Sequence, residues 1–83
     1  MPTVLRQDGF RVMIPTHDHP PAHVHCYRGD ALVVVILPTQ NSDAMIREIG
    51  RATKPRDLSD AVRIVNENRS HLWNEWNKLY GQS

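Results

Sequence analysis

Histidine is concentrated in one short part of this 83-residue chain, where four of the five copies lie between residues 17 and 25. They form two pairs with one residue between the members, His17 with His19 and His23 with His25. Side chains two residues apart on an extended strand point to the same face, so each pair presents two neighbouring imidazoles. The two prolines between the pairs stiffen the loop that joins them.

Metal binding is the first chemistry that this spacing favours. Four imidazole nitrogens close together suit Zn²⁺ or another borderline metal ion. The candidate nitrogen ligands are His17, His19, His23 and His25, and Asp18 or Asp30 offers an alternative oxygen ligand. The sequence leaves open whether the prolines bring the two pairs together or hold them apart.

Acid–base chemistry is the second interpretation, because histidine gains and loses its proton near neutral pH. Cleavage of RNA by its own 2′-hydroxyl needs a base, an acid and a cation for the phosphate. His23 and His25 are the candidate base and acid. The candidate cations on nearby strands are Arg6, Arg11 and Arg28. In the third interpretation the histidines are structural, and they hold the loop or face a partner.

A basic segment lies further along the chain, where residues 47–56 carry four basic side chains and the single acidic Glu48. The basic residues are Arg47, Arg51, Lys54 and Arg56. Such a segment beside a histidine loop can follow a phosphate backbone. The formal net charge of the whole chain is only +1, which is too even for a strong nucleic-acid footprint. An ordinary solvated basic turn is therefore the alternative.

Short strands are predicted for the first half of the chain. Asp8-Gly9 between two β-rich runs predicts a hairpin, and further strands are predicted at 22–28 and 31–37. Residues 44–52 fit a helical face or a short strand, and we favour a strand or irregular segment because Gly50 lies within it and Pro55 follows. Cys26 is predicted on the face opposite His23 and His25, as a small buried hydrophobe.

A helix is predicted for the last third, beginning at Pro55 and stopping at Gly81. Its apolar stripe contains Leu58, Val62, Val65, Leu72, Trp76 and Leu79. A continuous helix would be about 39 Å long, which exceeds the diameter of so small a domain. We expect it to bend near residues 66–70 or to project towards a partner. Trp73, Trp76 and Tyr80 are predicted either to pack in the core or to form an interface.

These elements predict an α+β fold, a small antiparallel β-meander of three to five strands covered by a long C-terminal helix or helix pair. The length predicts a single domain over residues 1–83, β-rich over 1–50 and helical over 55–80. The single cysteine excludes an internal disulfide. No apolar run approaches the roughly 20 residues of a membrane helix, and no signal pattern opens the chain, so we expect a cytoplasmic protein without membrane contact.

Three groups of residues resemble a known family. They are the opening segment 1–11, the segment 18–25 followed by Arg28-Gly29, and the aromatic ending 72–81. Together they resemble the small bacterial proteins of domain-of-unknown-function family 4160. This family tends to have proline at Ala22 and an aliphatic residue at Cys26, and its correspondence with residues 38–55 is weak. The resemblance implies no reaction, but it implies a bacterial protein paired with a small protein encoded nearby, as in toxin–antitoxin modules.

We therefore predict the toxin-like component of a two-gene module, acting on RNA. Its candidate catalytic residues are His19, His23, His25 and Arg28. One alternative is a non-catalytic interaction module, antitoxin-like or structural, that binds a small protein partner or forms a homodimer. The other is a histidine-rich domain that binds zinc.

Overall fold

The computed structural model describes residues 2–16 and 18–81, and within them five strands precede two helices. The elements in chain order are β1 (Thr3–Gln7), β2 (Phe10–Met13), β3 (His23–Arg28), β4 (Ala31–Ile36), β5 (Met45–Ile49), α1 (Pro55–Glu67) and α2 (Arg69–Tyr80). This arrangement confirms the predicted α+β fold. No helix in the described part of the chain is long and apolar enough to cross a bilayer.

The five strands form one sheet in the order β1-β2-β3-β4-β5, and every neighbouring pair is antiparallel. The sheet is thus a simple meander in which each strand turns back beside the previous one. The first turn is Asp8-Gly9, as predicted, and both residues have positive φ, 52° and 82°. Asp-Gly suits this turn because glycine adopts positive φ without strain and aspartate tolerates it.

One face of the sheet supplies the hydrophobic core. Val12, Cys26 and Val33 lie side by side across β2, β3 and β4, and all three are fully buried. Ile64 and Leu72 bring α1 and α2 into the same core cluster. Cys26 is therefore a buried hydrophobe as predicted, and burial raises the pKa of its thiol to about 12.

The other face of the sheet, here called the open face, presents the side chains that alternate with the core residues. Met13, His25 and Val34 are neighbours across β2, β3 and β4 on this face. The alternation of the strand therefore places His23 and His25 on the face opposite Val24 and Cys26.

Residues 44–52 contain β5, which confirms the strand that we favoured over a helix. The strand pairs with β4 through a bulge, because Val34 is opposite Glu48 whereas Val35 is opposite Ile46, so Arg47 is the extra residue. Gly50 follows at a close approach to β4, where an added Cβ would lie 2.9 Å from the Cβ of Leu32. Strand pairing thus overrides the helical spacing of the apolar residues.

The predicted long helix is divided into two, near the place where a bend was expected. Asn68 separates α1 from α2, and its side-chain amide donates to the carbonyl of Ile64 at 2.8 Å and to Gln7 Oε1 at 3.0 Å. Gly81 ends α2 in the left-handed conformation with φ of 70°. The break lets both helices pack on a sheet that is shorter than one continuous helix would be.

Arg28 is the last residue of β3 and lies at the opposite end of the strand from His23. Its guanidinium donates to Asp57 at 2.7 and 3.0 Å and to Asp60 at 3.0 Å, and it lies 4.2 Å from the ring centre of Phe10.

Arg28→Met should keep the apolar stem but lower the free energy of unfolding by about 1.5–3 kcal/mol, because charged hydrogen bonds are lost. Urea denaturation measures this, with the exposed Arg6→Met as control; equal stability of both variants would contradict it.

Candidate functional site

Three side chains gather where β3 begins, and we call Asp18, His23 and His25 the histidine cluster. Each offers one potential ligand atom, and these three atoms lie within 4.8 Å of one another. The loop before β3 supplies Asp18, whereas the strand supplies both histidines on its open face. The strand alternation predicted that His23 and His25 are neighbours. Asp18 was only an alternative ligand in that prediction, because the sequence does not show where the loop before β3 places its side chain.

His23 is hydrogen-bonded through both ring nitrogens, and its side chain is almost completely buried. Its Nδ1–H donates to the carbonyl of Pro21 at 2.8 Å, so Nε2 faces Asp18 Oδ2 at 3.1 Å. The ring also lies 5.7 Å from that of Trp76, which belongs to α2. The main chain of the proline loop therefore orients the ring, with Nε2 directed at the carboxylate.

Asp18 is fixed by its neighbours and by the C-terminal helix. Its Oδ1 accepts the backbone N–H of His19 at 2.8 Å, which is the main reason why the pKa of Asp18 is lowered, and His23 lowers it further. Its own N–H donates to the Tyr80 hydroxyl at 3.4 Å, and that hydroxyl donates to the carbonyl of Pro15. Asp18 is therefore ionised at neutral pH and directs one carboxylate oxygen at His23.

His25 provides a buried ring nitrogen that makes no hydrogen bond within the part of the chain that the structure describes. Its Nδ1 is buried and has no partner among residues 2–16 and 18–81. Burial lowers the pKa of His25, and the electrostatic interaction with His23 lowers it further. The ring is thus neutral at neutral pH, and a neutral imidazole carries the lone pair that a metal ion or a proton can take.

Arg47 is the basic side chain that the fold brings to the cluster. Its Nη1 lies 3.4 Å from His23 Nδ1, but this nitrogen uses its proton towards Pro21, so Arg47 acts there as a neighbouring charge. The bulge in β5 places it on the open face. Sequence reasoning assigned Arg47 to the basic segment, because only the pairing of β5 with β4 reveals its distance from the histidines.

The remaining predicted site residues lie apart from the cluster. His19 follows Asp18, but its side chain is exposed and is absent from the group of potential ligands. His17 lies outside the described residues. Asp30 is exposed in the turn after β3, at the opposite end of the strand from His23. Arg28 is engaged by Asp57 and Asp60, so the structure separates it from the histidines.

The basic segment is divided between the two ends of the sheet. Arg47 lies beside His23, whereas Lys54 immediately precedes α1 and Arg56 lies in its first turn. Arg51 is exposed in the turn after β5. Lys54 and Arg56 line an open groove of about 650 Å³ together with Arg28, Asp8, Asp30 and Asp57. This groove has mixed charge, so the segment does not form one continuous basic surface.

The aromatic residues of α2 are engaged within the chain. Trp76 is 7% exposed and stacks on Tyr80 with ring centres 4.0 Å apart. Trp73 is partly buried and its Nε1–H donates to the carbonyl of Pro38 at 2.7 Å. These three residues, which we predicted as core or interface, thus fasten α2 to the loops at the end of the sheet that holds the cluster.

The lowered pKa of His25 predicts a pH dependence of stability. The unfolded chain takes up this proton first, near the ordinary value of 6.5, so the stability due to neutral His25 is complete above that pH. It is lost as the pH falls through 6.5 towards the lower pKa of the folded state. Urea midpoints at about pH 7.5 and pH 5.5, which bracket the ordinary value, should therefore differ more in the wild type than in His25→Gln. The exposed His19→Gln should retain the wild-type difference; a slope unchanged in His25→Gln would contradict this origin.

Comparison with known proteins gives one match. A family model described as "Domain of unknown function (DUF4160)" matches residues 9–77, which include the histidine cluster, Arg47 and most of α2. No curated protein and no solved structure matches the chain. The match also covers residues 38–55, where the resemblance seen in the sequence was weakest.

Proposed function

Because the chain belongs to DUF4160, a family of domains of unknown function, we propose its function from the histidine cluster itself: the protein binds a divalent transition-metal ion of the Zn²⁺ class. Among residues 2–16 and 18–81, the protein ligands are Asp18, His23 and His25. The observation that carries the proposal is the convergence of one carboxylate and two imidazoles within 4.8 Å.

The geometry suits such an ion. Ligand bonds of about 2.0–2.1 Å in a tetrahedral site place neighbouring ligand atoms about 3.3 Å apart. His23 Nε2 and Asp18 Oδ2 are already 3.1 Å apart. All three ligand atoms lie within 4.8 Å of one another, so rotation of the partly buried Asp18 and His25 side chains would be needed to bring them to bonding distance of one ion. Two nitrogens and one oxygen also form the mixed donor set that zinc accepts.

The surroundings of the ligands support the same function. Metal-binding histidines usually donate their second ring N–H to a carbonyl or carboxylate, which sets the tautomer. His23 does this through Pro21. Asp18 is oriented by the His19 N–H, and His25 Nδ1 is a buried nitrogen without a hydrogen-bond partner among the described residues.

The described residues supply three ligands, which would leave a fourth position for water in a tetrahedral site, and zinc lowers the pKa of bound water to about 7. A site of this kind can serve hydrolysis, whereas a closed structural site has four protein ligands. Dialysis of tag-free, metal-stripped protein against Zn²⁺, followed by metal analysis, tests the proposal. Uptake of one ion per chain supports it, and failure to retain zinc would overturn it.

RNA cleavage by a toxin-like component of a two-gene module is the second candidate function. Arg47 favours it, because a guanidinium beside two histidines supplies the cation that a phosphodiester needs. The base in this mechanism is neutral His25, and Asp18 supports His23. His19 and Arg28 lie outside that arrangement.

If the protein cleaves RNA, its expression in a bacterial host should arrest growth, and His25→Gln should relieve the arrest while the protein accumulates normally. Growth unaffected by the wild type would favour a non-catalytic partner-binding module.

A further inference from the structure

The two edges of the sheet differ in how they are protected. At the β1 edge, His71 of α2 donates a ring N–H to the Val4 carbonyl at 2.7 Å, and Asn68 donates to Gln7. The β5 edge is open, and all five of its residues are exposed. Natural sheets usually cover or blunt such an edge, because its free backbone groups can pair with another strand.

Apolar side chains also accumulate at the open edge. Met45 is 53% exposed, Ile46 is 39% exposed and Ile49 is 55% exposed. They are three of the four large hydrophobic residues exposed in the described part of the chain. An edge strand of this composition is an expected site of strand addition.

The bulge in β5 gives the strand an unusual distribution of side chains. Ile46 is opposite Val35 and Ile49 is opposite Val33, and both valines belong to the core, so both isoleucines lie on the helix side. In a regular strand, residues three apart would lie on opposite faces. Arg47, the extra residue, and Glu48 both lie on the open face, next to His23 and opposite Val34 respectively.

We propose that the occupant of this edge is β5 of a second copy of the chain, paired antiparallel about a two-fold axis between Arg47 and Glu48. In that register Ile46 faces Ile49 of the second copy, and Arg47 faces its Glu48. Both pairings join residues that share a face, as antiparallel neighbours must. Met45 meets Gly50, which has no side chain to obstruct it.

Other registers near the centre of the strand do not fit. A shift by one residue in one direction places Arg47 opposite Arg47 and Ile46 opposite Glu48, which combines like charges with mismatched faces. A shift in the other direction places Glu48 opposite Glu48 and Arg47 opposite Ile49. Of these three registers only the first is complementary to itself, and the dimer that it forms has a continuous ten-stranded sheet with an isologous interface.

Sedimentation velocity over a range of micromolar concentrations tests this dimer. The wild type should show a monomer–dimer equilibrium. Glu48→Lys and Arg47→Glu should each raise the dissociation constant at least about tenfold, because each places like charges opposite each other at both ends of the register. Arg51→Glu, which changes a neighbouring charge outside the predicted pairs, should dimerise like the wild type.

Mixing the two charge variants gives the decisive measurement. In a mixed pair, Arg47 of the Glu48→Lys chain faces Glu48 of the other copy, and the introduced lysine faces the introduced glutamate. The heterodimer should therefore form although each variant alone is monomeric, and native mass spectrometry distinguishes it from both homodimers. A monomeric wild type, an undiminished Glu48→Lys dimer or a mixture that stays monomeric would overturn the proposal.

Discussion

The affinity for zinc should fall at least about 100-fold when any member of the histidine cluster is replaced. Loss of a direct ligand should lower the metal affinity at least as much as loss of the hydrogen bonds that support a ligand. Asp18→Asn and His25→Gln carry the test best, since both side chains are only partly buried and their replacement leaves the core intact. Isothermal titration of metal-stripped protein measures the affinity.

The matched control is His19→Gln. This residue adjoins Asp18 and belongs to the same histidine-rich loop, but its side chain is exposed and outside the cluster. It should bind zinc like the wild type. If His19→Gln loses zinc as completely as His25→Gln, the ion is held by the loop as a whole and the three-ligand site is wrong.

A second readout comes from stability, because an ion that binds only the folded chain stabilises it. At a zinc concentration 100 times the dissociation constant the gain is about 2.7 kcal/mol. The melting temperature of the wild type should rise accordingly, whereas that of Asp18→Asn should not. The rise should disappear as the pH falls below about 6, since protons compete with the metal for the imidazoles.

Replacement of Trp76 by alanine should lower the free energy of unfolding by about 3–5 kcal/mol. Trp76 is buried, stacks on Tyr80 at 4.0 Å and lies 5.7 Å from the His23 ring. Domains of this size have about 5–15 kcal/mol of stability in total, so the variant retains little of its folded population. Urea denaturation followed by circular dichroism measures the loss.

Leu79→Ala is the control for this experiment. Leu79 lies on the same helix but is 45% exposed, so its truncation should change stability by less than about 0.5 kcal/mol. Trp76→Phe should fall between the two, because it keeps an apolar ring and most of the packing. Unfolding of Trp76→Ala at wild-type urea concentrations would show that α2 contributes little to the core.

Trp76 also connects stability to the site. Trp76 stacks on Tyr80, whose hydroxyl accepts the backbone N–H of Asp18, and the Trp76 ring itself contacts His23. Trp76→Phe, which should remain folded, is therefore expected to weaken zinc binding without removing a ligand. The aromatic ending, interpreted from the sequence as core or interface, supports the loop that carries Asp18 and packs against His23.

Several features follow from the sequence alone because they depend on local geometry. The Asp8-Gly9 turn follows from the backbone freedom of these two residues. The alternation of β3 places His23 and His25 together and Cys26 in the core, because successive side chains of a strand point to opposite faces. The helical stripe correctly predicts the burial of Val65, Leu72 and Trp76, but it is wrong for Leu79, which is 45% exposed, and it omits the buried Ala61 and Ile64.

Other features were decided only by the tertiary structure. They bring together residues that are far apart in the sequence, which the periodicity of a single strand or helix cannot predict. Asp18 reaches His23 through the path of a proline loop, which residue spacing does not specify. Arg47 reaches the same ring from a strand 24 residues away, and the bulge that directs it there exists only in the pairing with β4. Arg28 is turned towards Asp57 and Asp60 because it lies on the same face of β3 as the core residues Val24 and Cys26, whereas the two histidines lie on the other face. The sequence therefore determined which chemical groups are available. The packing of the loop, the edge strand and the helix decided which of these groups lie together in one site.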